Sequence, residues 1–168
     1  MPSGITSRVR VKSNEDSTMV VRGQIAGSTT IAENDILIFS DSSGYVAQAA
    51  AAGNNIAAAG ANVRLCIPHE LVDVAKTAGT GVRVRQVTGE TLLILPLSND
   101  DAAAAWSAAY RGKRYELRRC TTTGYYTVNI NATTNAKVEI VDVVEETKND
   151  TCAYVICRPI PGGAWAGY

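Results

Sequence analysis

Hydrophobic and polar positions alternate with a period of two along most of this chain, and the apolar runs are short. The densest of them is Ile36-Leu37-Ile38-Phe39. Successive side chains of a strand point to opposite faces, so Ile36 and Ile38 take one side and Leu37 and Phe39 the other. Apolar groups on both sides predict a strand with neither face fully wet. Residues 40–44 follow with small hydroxyls, Asp41 and Gly44, groups that bond a local backbone or accept positive φ. A weaker apolar run then returns through 45–50. Residues 33–50 are therefore expected to form a β-hairpin around which the remaining strands are arranged.

The same pattern places the other elements. Residues 8–12 set Val9 and Val11 against Arg8, Arg10 and Lys12, as an edge strand does when outward cations discourage stray pairing. Strands are expected at 19–25 and 63–68, while 70–78 holds too few apolar positions to fix a period. Residues 47–61 are rich in Ala, but Gly53, Asn54, Asn55 and Gly60 interrupt them. Glycine costs about 1 kcal/mol in a helix interior, so two short segments around a turn are expected there rather than a helix. Val82 and Val84 alternate with Arg83 and Arg85, a turn follows at 88–90 and a buried run at 91–97, which predicts a second hairpin. Ser98, Asn99, Asp100 and Asp101 then supply caps and negative charge ahead of an Ala-rich run that ends at Gly112. One short α-helix is predicted around residues 100–111, with Trp106 anchoring it to the sheet. Short strands close the chain at 115–119, 125–130, 137–144 and 151–158.

These elements make a mainly β fold, a small antiparallel β-barrel or sandwich with one short helix. The expected division is an N-terminal arm with edge strands at 1–24, a β-rich core domain at 25–158 and a C-terminal arm at 159–168. That arm, P-I-P-G-G-A-W-A-G-Y, cannot continue a central strand, and it ends in aromatic groups that suit a partner surface.

Composition narrows the function. A chain of 168 residues can bury roughly 70% of its unfolded surface, enough for a real core. Sixteen basic and sixteen acidic residues leave no net charge, so no positive field exists to attract nucleic acid. Charged residues are 19% of the total, a shortage that suits a chain hiding surface in an assembly. No apolar run reaches the length of about 20 residues that a membrane helix needs. Residues 1–7 lack the pattern of a secretory signal. The chain is expected to stay where it is made or to be carried into an assembly.

Candidate chemistry is sparse. His69 is the single histidine, and it lies outside any nucleophile turn. Cys152 and Cys157 are five apart in an expected strand, on opposite faces, and Cys66, Cys120 and His69 come from distant segments, so the reading is reduced, buried thiols with no metal. The pairs Asp100–Asp101 and Glu145–Glu146 are adjacent and point apart. Neither Gly79-Thr80-Gly81 nor Gly112-Lys113-Arg114 completes a phosphate-binding motif. No catalytic residue and no cofactor are expected. The densest charge feature is Arg111, Lys113, Arg114, Arg118 and Arg119, interleaved with Tyr110 and Tyr115, which suits a solvated face or a protein interface. Candidate interface residues are Arg8 and Arg10 near the start, Arg111 and Arg114 in the basic cluster, and Trp165 and Tyr168 at the end.

Asn34-Asp35 feeding an apolar strand, the D-S-S-G tip, V-A-Q-A-A and the loose Ala/Gly segment together resemble the small auxiliary proteins of tailed-bacteriophage heads. The later Y-R-G-K-R-Y-E-L followed by T-T-T-G-Y-Y-T-V-N-I extends the likeness. Such decoration or cement proteins bind the outside of a capsid. The resemblance implies a small β-barrel or β-tulip-like domain and a symmetric oligomer, most often a trimer. Terminal arms would grip the major capsid protein, and the chain would be made in the host cytoplasm. Two other expectations stand beside it: another head or tail component such as a fibre part, or a β-rich ligand-binding or enzymatic domain.

Overall fold

The structure is a computed structural model that describes residues 10–11, 19–27, 29–33, 35–40, 42–57 and 63–160. Within them the chain is mainly β and contains no helix of seven or more residues. The arm expected at 1–7, Arg8, Trp165 and Tyr168 lie outside the described residues.

The first half of the chain closes on itself. Strands β2 (Met19–Ile25), β4 (Leu37–Ser40), β5 (Tyr45–Gln48), β6 (Val63–Pro68) and β8 (Gly81–Gln86) form a closed barrel in the order β2-β5-β4-β6-β8. Residues 33–50 form the hairpin expected of them, with Leu37 opposite Gln48 and Phe39 opposite Val46. Its tip is held by Gly44, whose N–H donates to Ser40 O over 2.7 Å at a φ of 69°. Two shorter strands, β3 (Thr29–Ile31) and β7 (Val72–Lys76), pair separately and contribute Ile31 and Val72 to the barrel core.

The second half closes in turn. Strands β9 (Leu93–Asn99), β11 (Arg114–Arg119), β12 (Tyr126–Asn129), β13 (Val138–Val143) and β14 (Tyr154–Pro159) run in the order β9-β12-β11-β13-β14. Because β14 pairs back onto β9, with Val155 opposite Leu95, the path returns to its start. Strand β1 (Arg10–Val11) lies along β9.

The two barrels share an apolar wall, and the alternation in the organising hairpin explains how. Leu37 and half-buried Phe39 point into the first core, whereas Ile36 and half-buried Ile38 pack against the second. Strand β6 divides in the same way, Cys66 to the first core and Leu65 and Ile67 to the second. Of the Ala-rich stretch expected at 47–61, residues 47–57 are described and form no helix, with a turn at 52–53; the remainder lies outside the described residues. The described part bonds to β11, with Ile56 N–H on Leu117 O at 2.7 Å and Arg119 N–H on Asn54 O at 3.0 Å. Tyr126 clasps it from beneath, its hydroxyl accepting from the N–H of Ala50 over 3.1 Å. Burial pushes that phenol up to about 12.

Four sequence expectations are corrected. The helix around 100–111 is absent: Asp100 takes a φ of 53°, and the chain doubles back as β10 (Ala102–Ala103) against Ser98 and Asn99. Only residues Ala108–Tyr110 form one turn of 3-10 helix, although Trp106 does anchor the region against the second core with an edge-on contact to Tyr110. The acidic pair that looked like helix caps instead accepts hydrogen bonds from a neighbouring loop, a tertiary demand that overrides local propensity. Residues 82–97 are not a hairpin, because β8 pairs with β2 and β6 while β9 belongs to the second barrel. The turn at 88–91, closed by Thr91 N–H on Thr88 O at 3.0 Å, is the link between barrels. The sheets are not wholly antiparallel, since β2–β5 and β9–β12 pair in parallel. Lastly, Pro159 is buried opposite Val138 and Ile160 N–H donates to Lys137 O, so the sheet extends into the stretch read as an arm.

Candidate interaction surfaces

Three cations of the basic cluster, Arg111, Arg114 and Arg118, are in ion pairs within the chain. Strand β13 runs antiparallel to β11 and sets Glu139 directly opposite Arg114. One carboxylate then serves two cations, Arg158 at 2.8 Å and Arg114 at 3.3 Å, and together they hold Glu139 below the usual carboxylate range. Arg111 bonds Asp142 at 2.5 Å. Arg119 donates to Gln48 and to Gly124 O and lies over the Tyr126 ring. Of the candidate interface residues, Arg111 and Arg114 are thus exposed but engaged, and Arg10 stands in β1 against Ile94. A shallow groove of about 300 Å³ beside Arg114, Glu139 and Arg158 continues to Pro159 and Ile160.

A second polar node gathers at one end of the second barrel. Asn129 is fully buried, and its amide donates to Asn55 Oδ1 at 3.1 Å and to Asp100 Oδ1 at 3.0 Å. Its own oxygen accepts from Asp100 N–H. These bonds, with one from Asn131, hold the Asp100 carboxyl low. Asp101 binds the Arg118 guanidinium through both oxygens, at 3.1 and 3.0 Å, and also accepts from Thr121 N–H and Oγ1. The Arg118 pair foremost, then Thr121, drive Asp101 far below its ordinary 3.8. Every polar atom named here has a partner within the chain, so the node fastens loops. Below pH 3.8 the unfolded chain takes up protons that folded Asp101 refuses, so its stabilisation is complete above that pH and is lost as pH falls further. Asp101→Asn should therefore lower stability at pH 7 and flatten the acid limb below pH 4, read as denaturant midpoints from pH 7 to 2.

His69 accepts at Nδ1 from Arg85 Nε over 3.0 Å, and Glu70 takes Arg83 at 3.0 Å. The four cysteines are buried and form no disulfide. Cys157 lies in the main core, whereas Cys152 packs with Cys120 in a separate small cluster. No group of three metal-ligating side chains occurs among the described residues. No helix among them is long and apolar enough to cross a membrane.

A third surface lies on the first barrel, along the outward face of β2. Ile25 N–H donates to Thr80 O and Gly79 N–H to Ile25 O, both at 2.9 Å, so the odd residues of β2 direct their main-chain groups toward β8. The even ones face the other way, and Gln24 N–H reaches Gly44 O at 2.8 Å. Strand β5 begins only at Tyr45, and its parallel register covers Gln24 and Ile25 alone. Val20 and Arg22 therefore present main-chain groups to a side on which no described strand pairs with them. Their side chains, with that of Gln24, point outward, and Val20 is 44% and Tyr45 43% exposed. Arg22 faces Arg83 across the ladder and makes no ion pair among the described residues. A groove of about 370 Å³ runs from Arg22 and Gln24 between Ser43–Gly44 and the glycines at 79 and 81. Ser43 lines that groove with Arg22, and nothing in the composition of 19–25 marks this edge.

The chain matches no protein-family model, no curated protein and no solved structure. Its function is therefore argued from its surfaces.

Proposed function

We propose that this chain is a structural protein of a tailed-bacteriophage head, which sits on the outer capsid surface and cements neighbouring capsid subunits. The supporting observation is the outward face of β2 and β5. Val20, Tyr45 and Arg22, which makes no ion pair among the described residues, stand exposed there on a closed barrel, whereas the cations of the second barrel are largely engaged by its own carboxylates. Two barrels joined through one apolar wall make a stiff platform that keeps such a face in position.

A cement protein works by adding contact area where capsid subunits meet weakly, roughly 800 Å² on each partner for a standard contact. A homotrimer would repeat the contact around a closed symmetry axis and multiply avidity without new chemistry. The partners in this reading are the major capsid protein and further copies of the chain, the site of action is the virion exterior, and neither enzyme activity nor a cofactor is needed. Mixing the purified protein with heads that lack it tests this. Co-sedimentation at fixed stoichiometry and a higher capsid melting temperature are expected. A protein that stays in the supernatant and leaves the capsid melt unchanged overturns the reading.

A further inference from the structure

We infer that the free edge of β2 at Val20 and Arg22 is a strand-addition site for an extended acidic segment of the binding partner. The identity of that partner as a capsid protein rests on the reading above; the edge itself does not.

Main-chain geometry makes the first half of the case. An extended peptide joins a sheet by pairing its N–H and C=O groups with an exposed edge, and alternate side chains supply specificity. Residues 20 and 22 of β2 offer that pattern at the correct two-residue spacing, because the odd residues between them are already bonded to β8. Among the described residues no strand pairs with this stretch of β2 on that side, although the barrel itself is closed.

Charge makes the second half. Arg22 and Arg83 are direct cross-strand neighbours of like sign, an unfavourable pair. Glu70 occupies Arg83 through two bonds, from its N–H at 2.8 Å and its Nε at 3.0 Å, and leaves Arg22 without a carboxylate. An incoming strand with an acid beside Arg22 would offset the repulsion. An apolar group two positions from that acid, and so on the same face, would cover Val20, which is nearly half exposed.

Hydrogen exchange on the intact protein tests this with a defined probe, the blocked peptide Val-Thr-Glu-Thr-Val-Thr-Glu, which sets valine and glutamate on one face, and the same peptide with lysine for glutamate as control. In the free protein the amides of Val20 and Arg22 should exchange fast while those of Val21 and Gly23 are protected by β8. The acidic peptide should slow the amides of Val20 and Arg22, and the lysine peptide should not. Arg22→Glu should weaken peptide binding about tenfold, and Arg22→Lys should largely retain it. Arg22→Pro removes the edge N–H without touching a barrel bond, and it should abolish the protection of Val20 while the melting temperature holds. Protection of both amides in the free protein, or unchanged exchange at saturating acidic peptide, overturns the inference. The two readings fail separately. Capsid binding that survives Arg22→Glu removes the edge and spares the capsid, whereas edge protection by the peptide with no affinity for heads does the reverse.

Discussion

Replacing Glu116 by alanine is expected to lower the unfolding free energy by about 1–3 kcal/mol, because it strips the Asn135 N–H of its acceptor and a buried lysine of a nearby charge. The reason is the company Glu116 keeps. It is 5% exposed, its Oε1 accepts from the N–H of Asn135 at 2.9 Å, and its charge supports Lys137, which is wholly buried. Lys137 donates to Asn135 O at 2.6 Å, so the two side chains hold the N–H and the C=O of one residue. Burial already pulls the lysine below its ordinary 10.5, and Glu116 is what opposes that pull. Without the carboxylate a buried cation loses a charge that supports it. Between its lowered value and 10.5 the unfolded chain then binds more protons than the folded one, so the deficit relative to the parent should shrink as pH rises from 7 toward 10. Glu116→Leu with Lys137→Met should come back close to the parent, since apolar pairs of similar volume often replace buried ions without loss. Urea midpoints at pH 7 and 9.5 decide it. A single-variant loss under about 1 kcal/mol would mean that the pair carries nothing.

Gly23→Ala should be the most damaging single-methyl addition in the first barrel. A Cβ at this position would stand 2.5 Å from Val46 Cγ2, 3.0 Å from Phe39 Cε2 and 3.1 Å from Gly44 O. Val46 is fully buried and β-branched, so it has no spare rotamer to yield. Overpacking of this kind costs about 1–3 kcal/mol, and Gly23→Val should exceed that range. Adding Val46→Ala to Gly23→Ala should recover part of the loss by making room, a coupling that a double-mutant cycle reads directly. Gly27→Ala is the control, since its Cβ would meet nothing within 4 Å. If both alanine variants melt alike, the close approach of β2 to β5 is wrong.

Much of the fold was legible because short alternating runs translate directly into strands. Residues 19–25 and 63–68 are β2 and β6 to the residue, and the hairpin at 33–50 stands where its turn chemistry put it. Apolar groups on both of its faces did mean two buried faces, although nothing in Ile36-Leu37-Ile38-Phe39 could say that they look into two different cores. The failures share a cause. Residues 100–111 carry a helix signal at the local level, but the carboxylates at 100 and 101 are claimed by Asn129, Asn131, Arg118 and Thr121, partners 17 to 31 residues away along the chain. The 82–97 pairing failed because a turn and two strands do not reveal whether the second strand returns to the first or begins a new barrel.

The docking surface was less legible than the fold. Arg111 and Arg114 drew notice by their density, and the structure places both in ion pairs. Arg22 sits alone among apolar and polar neighbours and drew none. Its standing depends on where β5 starts and on which acid takes Arg83, facts of register that composition does not contain.

A density map of the intact particle is the most direct test of the idea that this molecule acts by the surface it covers. The expected result is ordered copies on the capsid exterior, with Val20, Arg22 and Tyr45 buried against an extended segment of a neighbouring subunit. Particles that carry no copy, or copies whose β2–β5 face looks out into solvent, would contradict it.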